Sequence, residues 1–307
     1  MNHDDNHDGW NKKDGAHRSR ALVLGAGGPV GRAWQSGLIA GLIEREIDLG
    51  DASLIIGTSA GAIVGAQLAL GLKFAAPSKL DLAIQAAPVS SSSDLSGLLA
   101  AIGRAVRSSE AEIERAKIGA FAIEAQTVSE EDSIARTAFA LIRGHSWPMR
   151  FRATAVNAHT GKLQVWDASS GATLERAVAS SAAIPGVWPP ITIKGERYID
   201  GGVRSMLNAD LATGCDIVIV VSCFVLEVVG EIKNPDMATI NAAQIAELDA
   251  LRNAALTVAV IAPNEAFFTL THRGAAMLDS SLGPEAFRIG CTQALQEAKE
   301  IRSAWNS

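Results

Sequence analysis

Short, continuous runs of apolar residues alternate along the chain with longer stretches in which apolar positions recur every three or four residues. The runs at 21–24 and 54–56 are each followed directly by a glycine, which is typical of buried parallel strands. Residues from about 32 to 46 and from 62 to 70 have the periodicity of helices. This strand–helix–strand–helix opening predicts a parallel sheet with right-handed crossovers.

Helical spacing dominates from about residue 77 to residue 144, with a break at the serine run 90–93. Because the apolar stripe of a helix mostly faces a core, we predict a helical insertion beside the sheet, with a lid or lipid-facing cap as the alternative. Strands are then expected at 151–156, 163–166, 197–200, 216–222 and 255–261, and helices at 174–181 and 285–305. The pattern as a whole predicts the α/β class, with helices packed on a parallel sheet.

Composition narrows the class of protein further. Residues 1–19 are polar and rich in His and Asp, which predicts a disordered tail before a single domain over residues 20–307. The formal net charge is −6 and no basic stripe is present, so nucleic acid is not an expected partner. The three cysteines fit neither a disulfide framework nor a zinc site, which favours a cytoplasmic protein with reduced thiols. The chain has no apolar run of about 18 residues, so no membrane-spanning helix is expected.

The segment Gly57-Thr58-Ser59-Ala60-Gly61 is a G-x-S-x-G motif between a predicted strand and a predicted helix. This order is that of a nucleophile elbow, in which a sharp turn exposes the serine hydroxyl. Gly57 and Gly61 are required because side chains at these positions would crowd the turn. The N-terminus of the following helix favours negative charge at Ser59. A strand-to-helix turn with a serine cap is the simpler interpretation, and the motif alone does not exclude it.

A glycine-rich loop, residues 25–31, follows the first predicted strand and is expected at the same sheet edge as Ser59. The backbone amides of Gly27 and Gly28 are therefore candidates for an oxyanion hole, whereas Pro29 has no N–H to donate. The loop also resembles a dinucleotide fingerprint. That interpretation requires an acidic residue at the end of the second strand, where this chain has the serine motif, and we disfavour it.

A serine nucleophile also requires a base. Asp200, in Asp200-Gly201-Gly202, ends a predicted short strand and can act alone if it reaches the serine hydroxyl and is shielded from water. An ordinary Asp-Gly turn is the simpler interpretation. Among the histidines after Ser59, His272 remains a rival base, whereas the contexts of His145 and His159 do not suggest that role.

Taken together, these blocks resemble the patatin-like phospholipase family, whose pattern is a glycine-rich loop, G-x-S-x-G, a proline block and Asp-Gly-Gly. The resemblance covers roughly residues 20–222, and the corresponding blocks here are 27–31, 57–61, 179–185 with 188–190, and 200–202. It implies a patatin-like fold, which is a three-layer α/β/α sandwich with a mostly parallel central sheet. It also implies a serine acyl hydrolase that cleaves lipid esters through a Ser59–Asp200 dyad and an acyl-enzyme. Gly27 and Gly28 would be the oxyanion donors.

The resemblance implies no cofactor and no metal, a lipid or other acyl ester as substrate, and a role compatible with peripheral contact at a membrane. It does not indicate an oligomeric state. The chain departs from the family pattern at Ala26, where the first glycine of the loop is expected, and at Val30, where a basic residue is expected. Two alternatives remain. One is an acyltransferase that uses the same dyad, which sequence does not separate from a hydrolase. The other is a catalytically silent lipid-binding or interaction module, which Val30 in the loop favours.

Overall fold

A computed structural model describes residues 18–78, 95–135, 137–224, 232 and 234–307 of the chain. The strands are β1 Arg20–Leu24, β2 Leu54–Thr58, β3 Phe151–Asn157, β4 Leu163–Trp166, β5 Ile191–Ile193, β6 Glu196–Asp200, β7 Ile217–Val221 and β8 Thr257–Ile261. The helices are α1 Gly28–Ile43, α2 Ala60–Ala69, α3 Leu95–Arg107, α4 Ala111–Glu124, α5 Glu130–Ile134, α6 Thr137–Ala140, α7 Leu174–Ser181, α8 Pro235–Ala254, α9 Glu265–Leu270 and α10 Gly283–Trp305.

The eight strands form one mixed sheet in the order β5-β6-β3-β2-β1-β7-β8, and β4 pairs with β3 outside this path. The pairs from β3 through β2, β1 and β7 to β8 are all parallel. Strands β4, β5 and β6 pair antiparallel to their neighbours. The prediction of a mostly parallel central sheet is therefore confirmed. The antiparallel strands lie together at one side of the sheet, where β4 and β6 pair with β3 and β5 pairs with β6.

Alternate residues of the central strands enter cores on opposite faces of the sheet. In β1, Leu22 and Leu24 pack in the core that contains residues of α1, α2 and α10, whereas Ala21 and Val23 pack in the core that contains residues of α8. This alternation follows from the period of two in a strand. Strands buried on both faces need helices on both sides, so the three-layer α/β/α prediction is also confirmed.

Between α2 and β3, the described residues form α3 to α6, which agrees with the expected helical insertion. Residues of α3 and α4, including Leu98, Ile102 and Ile118, form a further apolar cluster with Val156 and Ile199 of the sheet. The serine run 90–93 and almost all of the predicted tail lie outside the described residues. Within the described residues, none of the helices combines the length and apolar character needed to cross a bilayer.

Helix α1 begins at Gly28, four residues before the predicted start at about residue 32. Pro29 lies in its first turn, where a missing N–H costs no hydrogen bond and the fixed φ of proline suits the helix. The predicted loop extends to Gly31, whereas in the structure Gly31 lies within the first turn of the helix. A glycine at this position allows the helix to pack closely on its neighbours. The amides of Gly27 and Gly28 therefore lie at the N-terminus of α1.

Candidate active site

Strands β2 and β6 meet end to end along one edge of β3. Thr58, the last residue of β2, pairs with Thr154, and Asp200, the last residue of β6, pairs with the next residue, Ala155. The other edge of β3 is occupied by β4, which pairs with both of these β3 residues. Because β2 and β6 run in opposite directions, their C-terminal ends meet, and Ser59 follows directly at this junction.

Ser59 lies in a strained turn between β2 and α2. Its φ of 55° and ψ of −115° fall in a region that non-glycine residues rarely adopt, and its side chain is buried. Its backbone N–H donates to the Oγ of the buried Ser181 over 2.9 Å, which holds the turn from the side of α7. The turn at Ser59 is therefore held by a residue that lies 122 positions later in the sequence.

The two glycines of the motif leave space for this turn. A Cβ at Gly61 would lie 2.0 Å from the carbonyl oxygen of Leu24, and one at Gly57 would lie 2.4 Å from the Cα of Ala62. Both contacts are with backbone atoms, which cannot swing away as a flexible side chain can. Glycine is therefore required at both positions by the close approach of β1, β2 and α2.

Asp200 is buried, and its two carboxylate oxygens have different environments. Oδ1 accepts a hydrogen bond of 2.7 Å from the amide of Gly202, whereas Oδ2 has no partner among the described residues. Burial raises the pKa of Asp200 to about 7, although the nearby Ser59 hydroxyl and the Gly202 amide both favour the ionised form. The Ser59 hydroxyl therefore lies close to the carboxylate, although it forms no hydrogen bond to Oδ2. Hydrogen bonds between catalytic groups are often long before the substrate binds.

The glycine loop brings two amides to the same site. Among the described residues, neither the N–H of Gly27 nor that of Gly28 has a hydrogen-bond acceptor, and Gly28 is the first residue of α1. Gly28 has a φ of +60°, and a Cβ there would lie 2.8 Å from the carbonyl oxygen of Met277. Free N–H groups at a helix N-terminus are a favourable environment for an anion.

A buried polar network lies beneath the junction of β2 and β6, and the sequence analysis missed it. The hydroxyls of Thr58 and Thr154 are 2.9 Å apart, and Asn208 Nδ2 donates to the Thr58 hydroxyl over 3.0 Å. Asn208 itself has a left-handed backbone and is fully buried. No short motif marks these residues, since the hydrogen bonds join positions about 100 to 150 residues apart.

Ser59, Asp200, Gly27 and Gly28 line one cavity of about 890 Å³. Its remaining wall is largely apolar and comes from the helical insertion, the proline block and the segment before α10. Apolar residues of this wall include Leu98, Leu99, Ile102, Ile184, Val203, Met206, Phe224, Met237, Phe268, Met277 and Leu278. The cavity therefore joins the candidate nucleophile, base and oxyanion donors to a space that suits a hydrocarbon chain.

Within the described part of the chain, no histidine lines this cavity. The histidines within the described residues, His145, His159 and His272, are all exposed, and none of them lines the cavity. The rival assignment of His272 as the base therefore has no geometric support. The described part of the chain also shows no group of three His, Cys, Asp or Glu side chains that could hold a metal ion.

The two departures from the family pattern have different surroundings. Val30 is fully buried in the core beneath α1 and does not line the cavity, so its side chain does not face the candidate oxyanion donors. Ala26 does line the cavity, and its amide donates to the carbonyl oxygen of Met206 over 2.8 Å. Its N–H is thus already occupied, in contrast to those of Gly27 and Gly28.

A family model described as patatin-like phospholipase matches residues 22–213, well over half of the 307 residues. No curated protein matches the chain. Two solved structures are similar at low identity. The crystal structure of VipD from Legionella pneumophila matches 90% of this chain and 67% of its own, with 12% identity and a TM-score of 0.39. That of the type III effector protein ExoU matches 90% and 53%, with 16% identity and a TM-score of 0.35, so this chain spans about half of its length.

Proposed function

Because the chain belongs to the patatin-like phospholipase family, we propose that it hydrolyses acyl esters of lipids with Ser59 as the nucleophile and Asp200 as the general base. The observation that carries the proposal is the meeting of β2 and β6 on β3, since it joins Ser59 to a buried carboxylate. The lipid-hydrolase class follows from the family. The roles of the individual residues and the acyl-enzyme are the proposed part.

In the first half of the reaction, Asp200 Oδ2 accepts the proton of the Ser59 hydroxyl as Oγ attacks the ester carbonyl carbon. The carbonyl oxygen becomes negatively charged and accepts hydrogen bonds from the amides of Gly27 and Gly28. The tetrahedral intermediate then collapses and the C–O bond to the alcohol breaks. The proton on Asp200 moves to the departing alkoxide, which leaves an acyl group on Ser59.

In the second half, water attacks the acyl carbon while Asp200 removes one of its protons. A second tetrahedral intermediate forms at the same oxyanion donors, and its collapse breaks the bond to Ser59 Oγ. The proton returns from Asp200 to Oγ, so the free acid is released and the enzyme is regenerated. Each half-reaction therefore uses the same base and the same donors.

The electrostatics of the site support these roles. A carboxylate whose pKa lies near 7 is a stronger base than an exposed aspartate and is still largely ionised slightly above neutral pH. The N-termini of α1 and α2 both face the junction, and each favours the negative charge that develops during acyl transfer. Loss of one oxyanion donor is expected to lower turnover on the order of 100-fold.

The test combines covalent labelling with turnover. Wild-type protein should react with a fluorophosphonate probe and hydrolyse a panel of acyl esters, whereas Ser59→Ala should do neither. Asp200→Asn should lose hydrolysis and label slowly. Two controls match these substitutions at partly or fully exposed positions outside the cavity, namely Ser281→Ala and Asp167→Asn, and both should behave like wild type.

Several outcomes would overturn the assignment. A wild-type protein that neither labels nor cleaves any ester would favour a silent lipid-binding module. Full activity of Asp200→Asn would refute Asp200 as the base, and loss of activity in His272→Ala would restore the histidine alternative. If glycerol or another added alcohol captures most of the acyl group in place of water, the enzyme is an acyltransferase with the same dyad.

A further inference from the structure

The cavity that contains Ser59 is lined by very few charged residues among those described. Among the described residues that line it, Arg273 is the only cation and Asp200 is the only acidic residue. Every other described residue of the wall is apolar or uncharged. A wholly hydrocarbon ligand would not need a guanidinium in this position, which suggests that one end of the substrate is polar.

Arg273 is available to a ligand. Its ion pair is with Glu265, at 3.6 Å between Nη2 and Oε1, and both side chains are at least two-thirds exposed. Such an exposed pair contributes little energy and is readily replaced by a better partner. The guanidinium offers a planar fork of donors, which matches the oxygens of a phosphate group better than an ammonium does.

The turn that presents Arg273 is strained and firmly anchored. His272 and Arg273 are consecutive non-glycine residues with positive φ, at 49° and 55°. Such a backbone conformation is unfavourable for a non-glycine residue and persists only where its surroundings impose it. Here the amide of Arg273 donates to the carbonyl oxygen of Phe268 over 2.8 Å, and the amide of Gly274 donates to that of Thr271 over 3.1 Å. The backbone from which the Arg273 side chain extends is therefore held at the cavity by a hydrogen-bonded turn.

The same segment also supports the glycine loop. Four residues after Arg273, the carbonyl oxygen of Met277 accepts a hydrogen bond from the amide of Val30 over 3.3 Å, and it lies 2.8 Å from the position of a Cβ on Gly28. The turn with Arg273 and the candidate oxyanion donors are thus joined by a few residues of backbone. The turn that carries Arg273 therefore has a defined position relative to the candidate oxyanion donors.

We infer that Arg273 is a specificity-determining residue that binds the phosphate of a phosphate-bearing acyl lipid while the acyl chain occupies the apolar part of the cavity. This inference rests on the proposed function, because it concerns the substrate of the same site. It assigns a preference for phospholipids or lysophospholipids over neutral glycerides of the same chain length. Arg273 acts through ground-state binding, so its loss raises KM and leaves kcat almost unchanged.

Binding to the Ser59→Ala protein tests the inference without turnover. The two probes are a lysophosphatidate and a monoacylglycerol with the same acyl chain, both below their aggregation concentrations. Adding Arg273→Gln should weaken lysophosphatidate binding about tenfold and change monoacylglycerol binding less than twofold. Arg273→Lys should restore part of the difference. Arg288→Gln is the matched control, because Arg288 is exposed on α10, pairs with Glu285 and does not line the cavity.

The possible results separate this inference from the proposed function. Equal weakening of both lipids, no weakening of either, or the same effect in Arg288→Gln would overturn the role of Arg273. Displacement of the lysophosphatidate by equimolar inorganic phosphate would also overturn it, since the site would then be one for free phosphate. If Arg273 discriminates as expected but wild-type protein cleaves no ester, the inference holds and the proposed hydrolysis fails.

Discussion

The substitution Asp200→Asn is predicted to stabilise the folded protein while it abolishes activity. The carboxyl group is buried, and burial raises its pKa from 3.8 to about 7. The folded state therefore holds the proton more tightly than the unfolded state does. An asparagine keeps Oδ1 as an acceptor for the Gly202 amide and remains neutral at every pH. The substitution thus removes the cost of an ionised group without removing its hydrogen bond.

The size of the effect follows from linkage between protonation and folding. Stability from the neutral carboxyl is fully present below the unfolded pKa of 3.8 and is lost as the pH rises to about 7. Each unit of difference in pKa corresponds to about 1.4 kcal/mol, so the full difference amounts to about 4 kcal/mol. Relative to wild type, the free energy of unfolding of Asp200→Asn should therefore increase with pH between about 4 and 7 and stay constant above 7.

Urea denaturation at a series of pH values from 4 to 8 measures this gain directly. Asp167→Asn provides the matched control, because hydrogen bonds from Ser169 and Ser170 lower the pKa of Asp167. That substitution should give no gain that increases with pH. A destabilised Asp200→Asn, or a gain that is the same at pH 4 and pH 8, would refute the argument that burial governs this carboxyl group.

Three further predictions concern the same site. For wild-type protein, kcat/KM should rise with pH and level off above an inflection near 7, because the ionised form of Asp200 is the base; a flat profile from pH 5 to 9 would contradict this. Gly61→Ala should give little soluble protein, since its Cβ would lie 2.0 Å from a backbone oxygen, whereas Gly65→Ala in the same helix, with its nearest contact at 3.0 Å to a side chain, should remain soluble. Ser181→Ala should lower stability by about 1–3 kcal/mol and reduce kcat, because it leaves the buried amide of Ser59 without its acceptor; unchanged thermal unfolding and turnover would show that the turn needs no such support.

The central fold and the order of the site were predictable because both depend on local patterns. The continuous apolar runs that became β1 and β2 are strands that must be buried on both faces, and the glycines that follow them mark turns with no room for a side chain. The start of α1 was less predictable. Glycine-rich sequence indicates a loop, whereas here Pro29 and packing against the sheet extend the helix through it.

The positioning of the site could not be predicted, since it depends on contacts between distant segments. Ser181 holds the Ser59 amide across 122 residues, and Asn208 reaches the Thr58 hydroxyl across 150. Serine, threonine and asparagine are common in ordinary turns and caps, so their presence does not indicate such a role. The role of the turn at Arg273 could not be predicted either, because it depends on the cavity that the turn borders and not on a local motif.

Several energetically unfavourable features occur together where β2 meets β6. Ser59 adopts a strained backbone, and among the described residues the buried Oδ2 of Asp200 has no hydrogen-bond partner and two amides of the glycine loop have no acceptor. The strained backbone and the buried carboxylate are both unfavourable to folding. A tetrahedral intermediate on Ser59 would satisfy both amides with its oxyanion and place a proton on Oδ2. The two amides and the carboxylate are therefore complementary to the charge and the proton of the proposed intermediate, which is what catalysis by differential binding requires.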